Sequence, residues 1–153
     1  MICSNEQTET LIKGFTLLKS CYGSYAFFGR GSLGPEIVMT DNCVELQDAL
    51  NYVWPTMKQF LCLFHMLKQV WTWLNDSNHG ILHSDRPGIL NLFNQVIYSY
   101  SADDFDKNDQ ILRNDNLVSK YLQFLQYYIN ICQYKQKWAL CYRLRERTQG
   151  SNK

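Results

Sequence analysis

Proline is scarce in this sequence, with three in 153 residues, and glycine is little commoner, with eight. That scarcity excludes collagen-like and Pro/Gly-rich low-complexity chains. An excess of one charge is also lacking. Fifteen Lys and Arg stand against fourteen Asp and Glu, and a net charge of +1 gives no global signal for nucleic acid or a membrane. Residues 1–20 hold no long apolar run, because Glu6, Glu9, Lys13 and Lys19 interrupt it. Neither a secretory leader nor a transmembrane span is therefore expected. What is present is globular: 46% hydrophobic and 14% aromatic residues, enough for one domain with a real core.

Charge is unevenly distributed. From Ser101 to Asp115, five Asp face Lys107 and Arg113, a net of −3. From Lys135 to Lys153, six Lys and Arg face Glu146, a net of +5. The basic stretch suits phosphates, although a solvated helix face is the more economical reading. Six cysteines (Cys3, Cys21, Cys43, Cys62, Cys132 and Cys141) are scattered, mostly among apolar residues. Free thiols in a reducing compartment follow, so the expected location is nuclear or cytosolic rather than secreted.

Apolar spacing predicts a mostly helical chain with two short strands. Ser4 to Gln7 has the form of a capping box, and Leu11, Phe15, Leu18 and Tyr22 recur at helical spacing, giving a helix near 5–21 that Gly23 ends. Tyr25–Phe28 is an aromatic run, and Gly29, Gly31, Gly34 and Pro35 mark a loop. Residues 36–40 read as a buried strand with Asp41 at its end. A helix follows near 43–53, with Asn42 or Thr40 as its cap, and Pro55 stops it. Phe60–Phe64 reads as a second strand, parallel to the first, followed by a helix over 65–75 that turns Leu67, Val70, Trp71 and Leu74 inward. The rest reads as helices: one opened by Asp85 and Pro87, with Leu90, Phe93, Ile97 and Tyr100 inward, and others near 102–113, 116–133 and 136–147. The four tryptophans fall on inner stripes, whereas the run Tyr121, Tyr127, Tyr128 and Tyr134 covers both faces of one helix.

The strand, Asp, helix, strand unit carries the chemical reading, because functional groups in open α/β sheets gather at the C-terminal ends of strands. By itself an Asp there is more often a cap than a ligand. Its neighbours say more. Gly34-Pro35-Glu36-Ile37-Val38-Met39-Thr40-Asp41 resembles the segment of Mutator-like element (MULE) transposases that holds their second catalytic Asp. The resemblance continues through Ala49-Leu50 and Val53-Trp54-Pro55 to Leu61-Cys62-Leu63-Phe64-His65, the family's C-x-x-H signature. Trp71, Trp73, Leu74 and Asp85-Arg86 follow in order, and Trp138-Ala139-Leu140-Cys141-Tyr142-Arg143 resembles the segment before the family's last catalytic element.

The resemblance implies an incomplete ribonuclease-H-like fold, α/β and helix-rich, with a short parallel sheet. Residues 1–75 would form the ribonuclease-H-like part and 76–153 a helical insertion. It implies DNA transposition by Asp, Asp, Glu chemistry with Mg²⁺ or Mn²⁺, and DNA at transposon ends as partner, together with full-length transposase or a second copy and no membrane. Of the three carboxylates, Asp41 alone carries over. The first Asp is expected before Met1 and the Glu beyond Arg143, while Glu45 and Asp48 match no catalytic position. Two-metal cleavage needs several carboxylates holding ions roughly 3.5–4 Å apart. The resemblance therefore leaves Asp41 as a weak, incomplete metal site and the chain inactive alone.

Cys62 and His65, with His79 and His83 downstream, superficially follow a zinc-finger order. A helix of about ten residues, roughly 15 Å long, separates the pairs and argues against one site. Packing for Cys62 and hydrogen bonding near the Asp41 end of the sheet for His65 are expected instead. Two other readings stay open: a domesticated non-catalytic protein that binds DNA or a transposase, and an unrelated helical interaction module.

Overall fold

The computed structural model describes residues 7–149. They fall in two compact units, the first ending at Leu61 and the second beginning at Cys62. The fold is α/β and helix-rich, with one two-stranded parallel sheet in the first unit and helices in the second. The boundary expected at 75/76 falls at the end of a helix inside the second unit.

In the first unit α1 (Thr8–Cys21) starts at Gln7, whose side chain makes no capping bond. The capping box expected at Ser4 lies outside the described residues. The helix ends at Cys21, as expected, but its C-cap is Tyr22, which is extended (φ −82°, ψ 127°) and whose ring meets Phe27 edge-on at 4.6 Å, and Gly23 does not take up a left-handed φ. A short turn, α2 (Ala26–Gly29), and a 3₁₀ turn (Gly31–Leu33) lead to β1 (Ile37–Thr40), α3 (Val44–Val53) and β2 (Lys58–Leu61). The strands pair in parallel from Ile37 opposite Lys58 to Thr40 opposite Leu61, as the strand-helix-strand pattern requires. Helix α1 packs on α3. Their core is Leu50, Val53, Trp54 and Met57, joined by Ile12, Phe15, Tyr22, Val38 and Leu46. Lys19 Nζ donates to Val53 O at 2.8 Å, satisfying a carbonyl at the end of α3.

Several expectations need correction. The apolar run 60–64 is not one strand: β2 ends at Leu61, Cys62 is the N-cap, and α4 (Leu63–Asn75) begins at once. A short apolar run suits strand and helix alike, and Met66, Val70 and Leu74 at four-residue spacing decide for helix by burying one stripe. Trp71, expected inward, is 40% exposed.

The helix expected over 116–133 is two. After α5 (Arg86–Ile97) and α6 (Ala102–Asn114), Asp115 caps α7 (Asn116–Ser119) by accepting Leu117 N–H at 2.7 Å. Tyr121 then leaves the helical region (φ −122°, ψ 72°) before α8 (Leu122–Cys132), and its hydroxyl donates to Asp85 Oδ2 at 2.8 Å. The last helix likewise breaks, at Ala139 (ψ 135°), into α9 (Lys135–Trp138) and α10 (Leu140–Gln149).

The break accompanies the burial of Trp138. Its indole is fully buried among Phe93 (5.6 Å) and Phe105 (5.9 Å) and donates to Ile131 O at 2.8 Å. Elsewhere local signals hold: Pro87 sits in the first turn of α5, and Ser101 Oγ caps α6 through Asp104 N–H at 3.0 Å. The inner face of α5 is Ile89, Phe93, Val96 and Ile97, and Tyr100, expected on it, is exposed beyond its end.

Candidate functional site

Asp41 follows directly on β1, where the chain leaves the sheet for α3. Its carboxylate is exposed, and Oδ1 accepts the Cys43 N–H at 3.3 Å, so the side chain shapes the turn that starts the helix. Gln47, buried one turn into α3, reaches back with Nε2 at 3.5 Å from both Asp41 O and Asn42 Oδ1. Gln59 on β2 donates to Gln47 O at 2.9 Å and Asn51 Oδ1 at 2.8 Å, tying α3 to the sheet. Neither Asn42 nor Thr40 caps α3; Cys43 is its N-cap. The Thr40 hydroxyl is buried without a hydrogen-bond partner, a feature the sequence did not signal.

Glu45, on the first turn of α3, accepts the Cys43 thiol at 3.3 Å. Backbone hydrogen bonding at the helix start, and then this thiol, hold its carboxyl below the usual range. Asp48 is exposed on the same helix. Among the described residues no three His, Cys, Asp or Glu side chains are grouped to hold a metal ion. The donors around Asp41 therefore do not fit a complete Mg²⁺ or Mn²⁺ site, which needs an octahedral oxygen set.

The C-x-x-H pair belongs to the second unit. Cys62 is the half-buried N-cap of α4, and His65 is exposed in its first turn, its ring 5.5 Å from that of Phe64. Cys62 was expected within a strand and instead caps a helix, whereas His65, expected where the strand turns into the helix, sits in that helix's first turn. His79 lies beyond the far end of α4, thirteen residues long, or about 20 Å at 1.5 Å per residue. Its ring stacks on Trp73 at 3.8 Å, with Nδ1 2.8 Å from Trp73 O. That arrangement packs the imidazole rather than pairing it with Cys62.

The basic stretch is partly used internally. Lys135 Nζ stands 4.6 Å over the Phe105 ring and 3.7 Å from Asp106, and Arg143 Nη2 donates to Lys137 O at 3.3 Å. Burial pulls the Arg143 pKa down. Arg145, Arg147 and Lys153 lie outside the residues whose side chains are described.

Comparison with protein-family models, curated proteins and solved structures gives no match.

Proposed function

We propose that the chain carries the central part of a Mutator-like transposase catalytic domain of ribonuclease-H-like fold, with Asp41 as its second catalytic Asp. The observation that supports this reading is the parallel β1–α3–β2 unit with an exposed carboxylate at the C-terminal end of β1. The C-x-x-H pair starts immediately after β2, in the order the resemblance requires. The function is DNA transposition in the nucleus, on transposon ends, with Mg²⁺ or Mn²⁺ as cofactor. Asp41 would supply one oxygen ligand to an ion that stabilises the attacking and leaving oxygens. Because a polypeptide of residues 1–153 brings one of the three carboxylates, it cuts no DNA by itself.

The test starts from the coding sequence on either side. The reading requires an Asp upstream and a Glu downstream. It also requires that a polypeptide extended to include both nicks DNA with Mn²⁺. In that polypeptide Asp41→Asn abolishes nicking, whereas Glu45→Gln and Asp48→Asn leave it unchanged. Flanking sequence without those carboxylates, or nicking that survives Asp41→Asn, sinks the reading and favours a non-catalytic binding protein.

A further inference from the structure

A second candidate site lies in the first unit, away from Asp41. The turn Ala26–Gly29 carries two consecutive phenylalanines in the left-handed region, Phe27 (φ 52°, ψ 46°) and Phe28 (φ 60°, ψ 42°). Bulky residues seldom adopt that conformation, and such outliers cluster at ligand-binding sites. The turn separates the two rings. Phe27 meets Tyr22 at 4.6 Å and Trp54 at 6.2 Å, whereas Phe28 is fully exposed at 108%.

A cavity of about 500 Å³ opens beside this turn, lined by Phe27, Phe28, Arg30, Pro35, Glu36 and Ile37. That size suits a small planar ligand. Its walls are aromatic and aliphatic, with one cation and one anion. Arg30 is held by Nε, which donates to Gly34 O at 2.8 Å. Among the described residues its terminal nitrogens make no other hydrogen bond, and the Glu36 carboxylate has no partner. The terminal nitrogens of a guanidinium and a carboxylate thus share one cavity, without a partner among the described residues.

We propose that this cavity binds a guanine base. Arginine donates two parallel hydrogen bonds to the O6 and N7 acceptors of guanine, and a carboxylate accepts from its N1–H and N2–H₂ donors. Phe28 offers an open ring on which the base stacks. Adenine has no O6 acceptor and uracil has no amino donor, so each leaves one charged group unmatched. The base comes either from a free nucleotide or from an unpaired position in a nucleic-acid strand, and the inference does not rest on the transposase reading.

The test is calorimetric titration of the purified chain with guanosine, adenosine, cytidine and uridine monophosphates, alongside NMR mapping. GMP is expected to bind about tenfold more tightly than AMP or UMP and to shift amides within residues 27–37. Glu36→Gln and Phe28→Ala, both at exposed positions, weaken GMP about tenfold with an unchanged melting temperature, and Phe28→Tyr restores binding. A parallel titration with an oligothymidylate carrying one central guanosine separates the sources. Selective binding of the oligonucleotide with weak GMP binding assigns a strand, and equal affinities assign a free nucleotide. Affinities for all four monophosphates and for oligonucleotides with and without guanosine that agree within about threefold, below what one good base contact supplies, overturn the proposal. So do GMP shifts that fall outside residues 27–37, or no binding of either probe.

Discussion

Gly34 lies against the indole of Trp54 so closely that a Cβ at Gly34 would stand 2.6 Å from Trp54 Cγ and overlap Cδ1 and Nε1. Gly34 also has φ 78°, in the region that glycine alone enters readily. Trp54 is 3% exposed in the core of the first unit and has little room to retreat. Gly34→Ala therefore combines overpacking with backbone strain, and is expected to destabilise by about 2–4 kcal/mol. Urea denaturation measures it. A midpoint equal to that of the parent would mean that the indole moves freely.

Tyr128 anchors a polar network within the second unit. Its hydroxyl donates to Asp109 Oδ1 at 2.6 Å, and Arg113 Nε donates to Oδ2 of the same carboxylate at 2.8 Å. Tyr128→Phe removes one bond to a charged acceptor and should cost about 1.5–3 kcal/mol. Asp109→Ala strips both donors of their acceptor and should cost more. The ordering is checked by chemical denaturation of the two variants, and Asp109→Ala being the milder would contradict the network.

Alkaline pH should unfold the second unit. Burial holds the Tyr127 phenol up at about 12 and pushes that of Tyr128 up as well. Unfolded tyrosine titrates near 10. Between these values the unfolded chain has released protons that the native state keeps, so stability is full below about pH 10 and falls as pH rises toward 12. Phenolate absorbance and circular dichroism recorded together test this. All ten tyrosines ionising near pH 10 with helix content intact would count against it.

The β1 strand should drive self-association. Among the described residues β2 is its one partner, and Ile37 and Met39 on it are 37% and 61% exposed. Apolar edges recruit other strands, and a lysine on the edge discourages this. Met39→Lys is expected to shift size-exclusion and sedimentation profiles toward monomer. A parent already monodisperse as a monomer would remove the premise.

Much of the first unit was legible because its signals are local. The helical spacing of Leu11 and Phe15, the stop at Pro55, and the strand-helix-strand order ending in Asp41 each need a few neighbouring residues to be read. The candidate site was half legible. Asp41 stands where the pattern put it, but Cys62 moved from strand to helix cap and the helix start moved ahead of His65, because the run Phe60–Phe64 satisfies both periodicities. Nothing local announced the left-handed Phe27–Phe28 turn or the cavity that Arg30 and Glu36 share.

The sequence by itself determined most of the helical and extended stretches and most of their apolar faces, since periodicity along the chain records a buried side. Tertiary structure decided where those stretches break. Tyr121 leaves its helix while its hydroxyl meets Asp85, 36 positions earlier, and the helix divides at Ala139 beside Trp138, which is buried between Phe93 and Phe105. Such breaks depend on partners distant in sequence, whose hydrogen bonds and packing outweigh the weak local preference for continuing a helix.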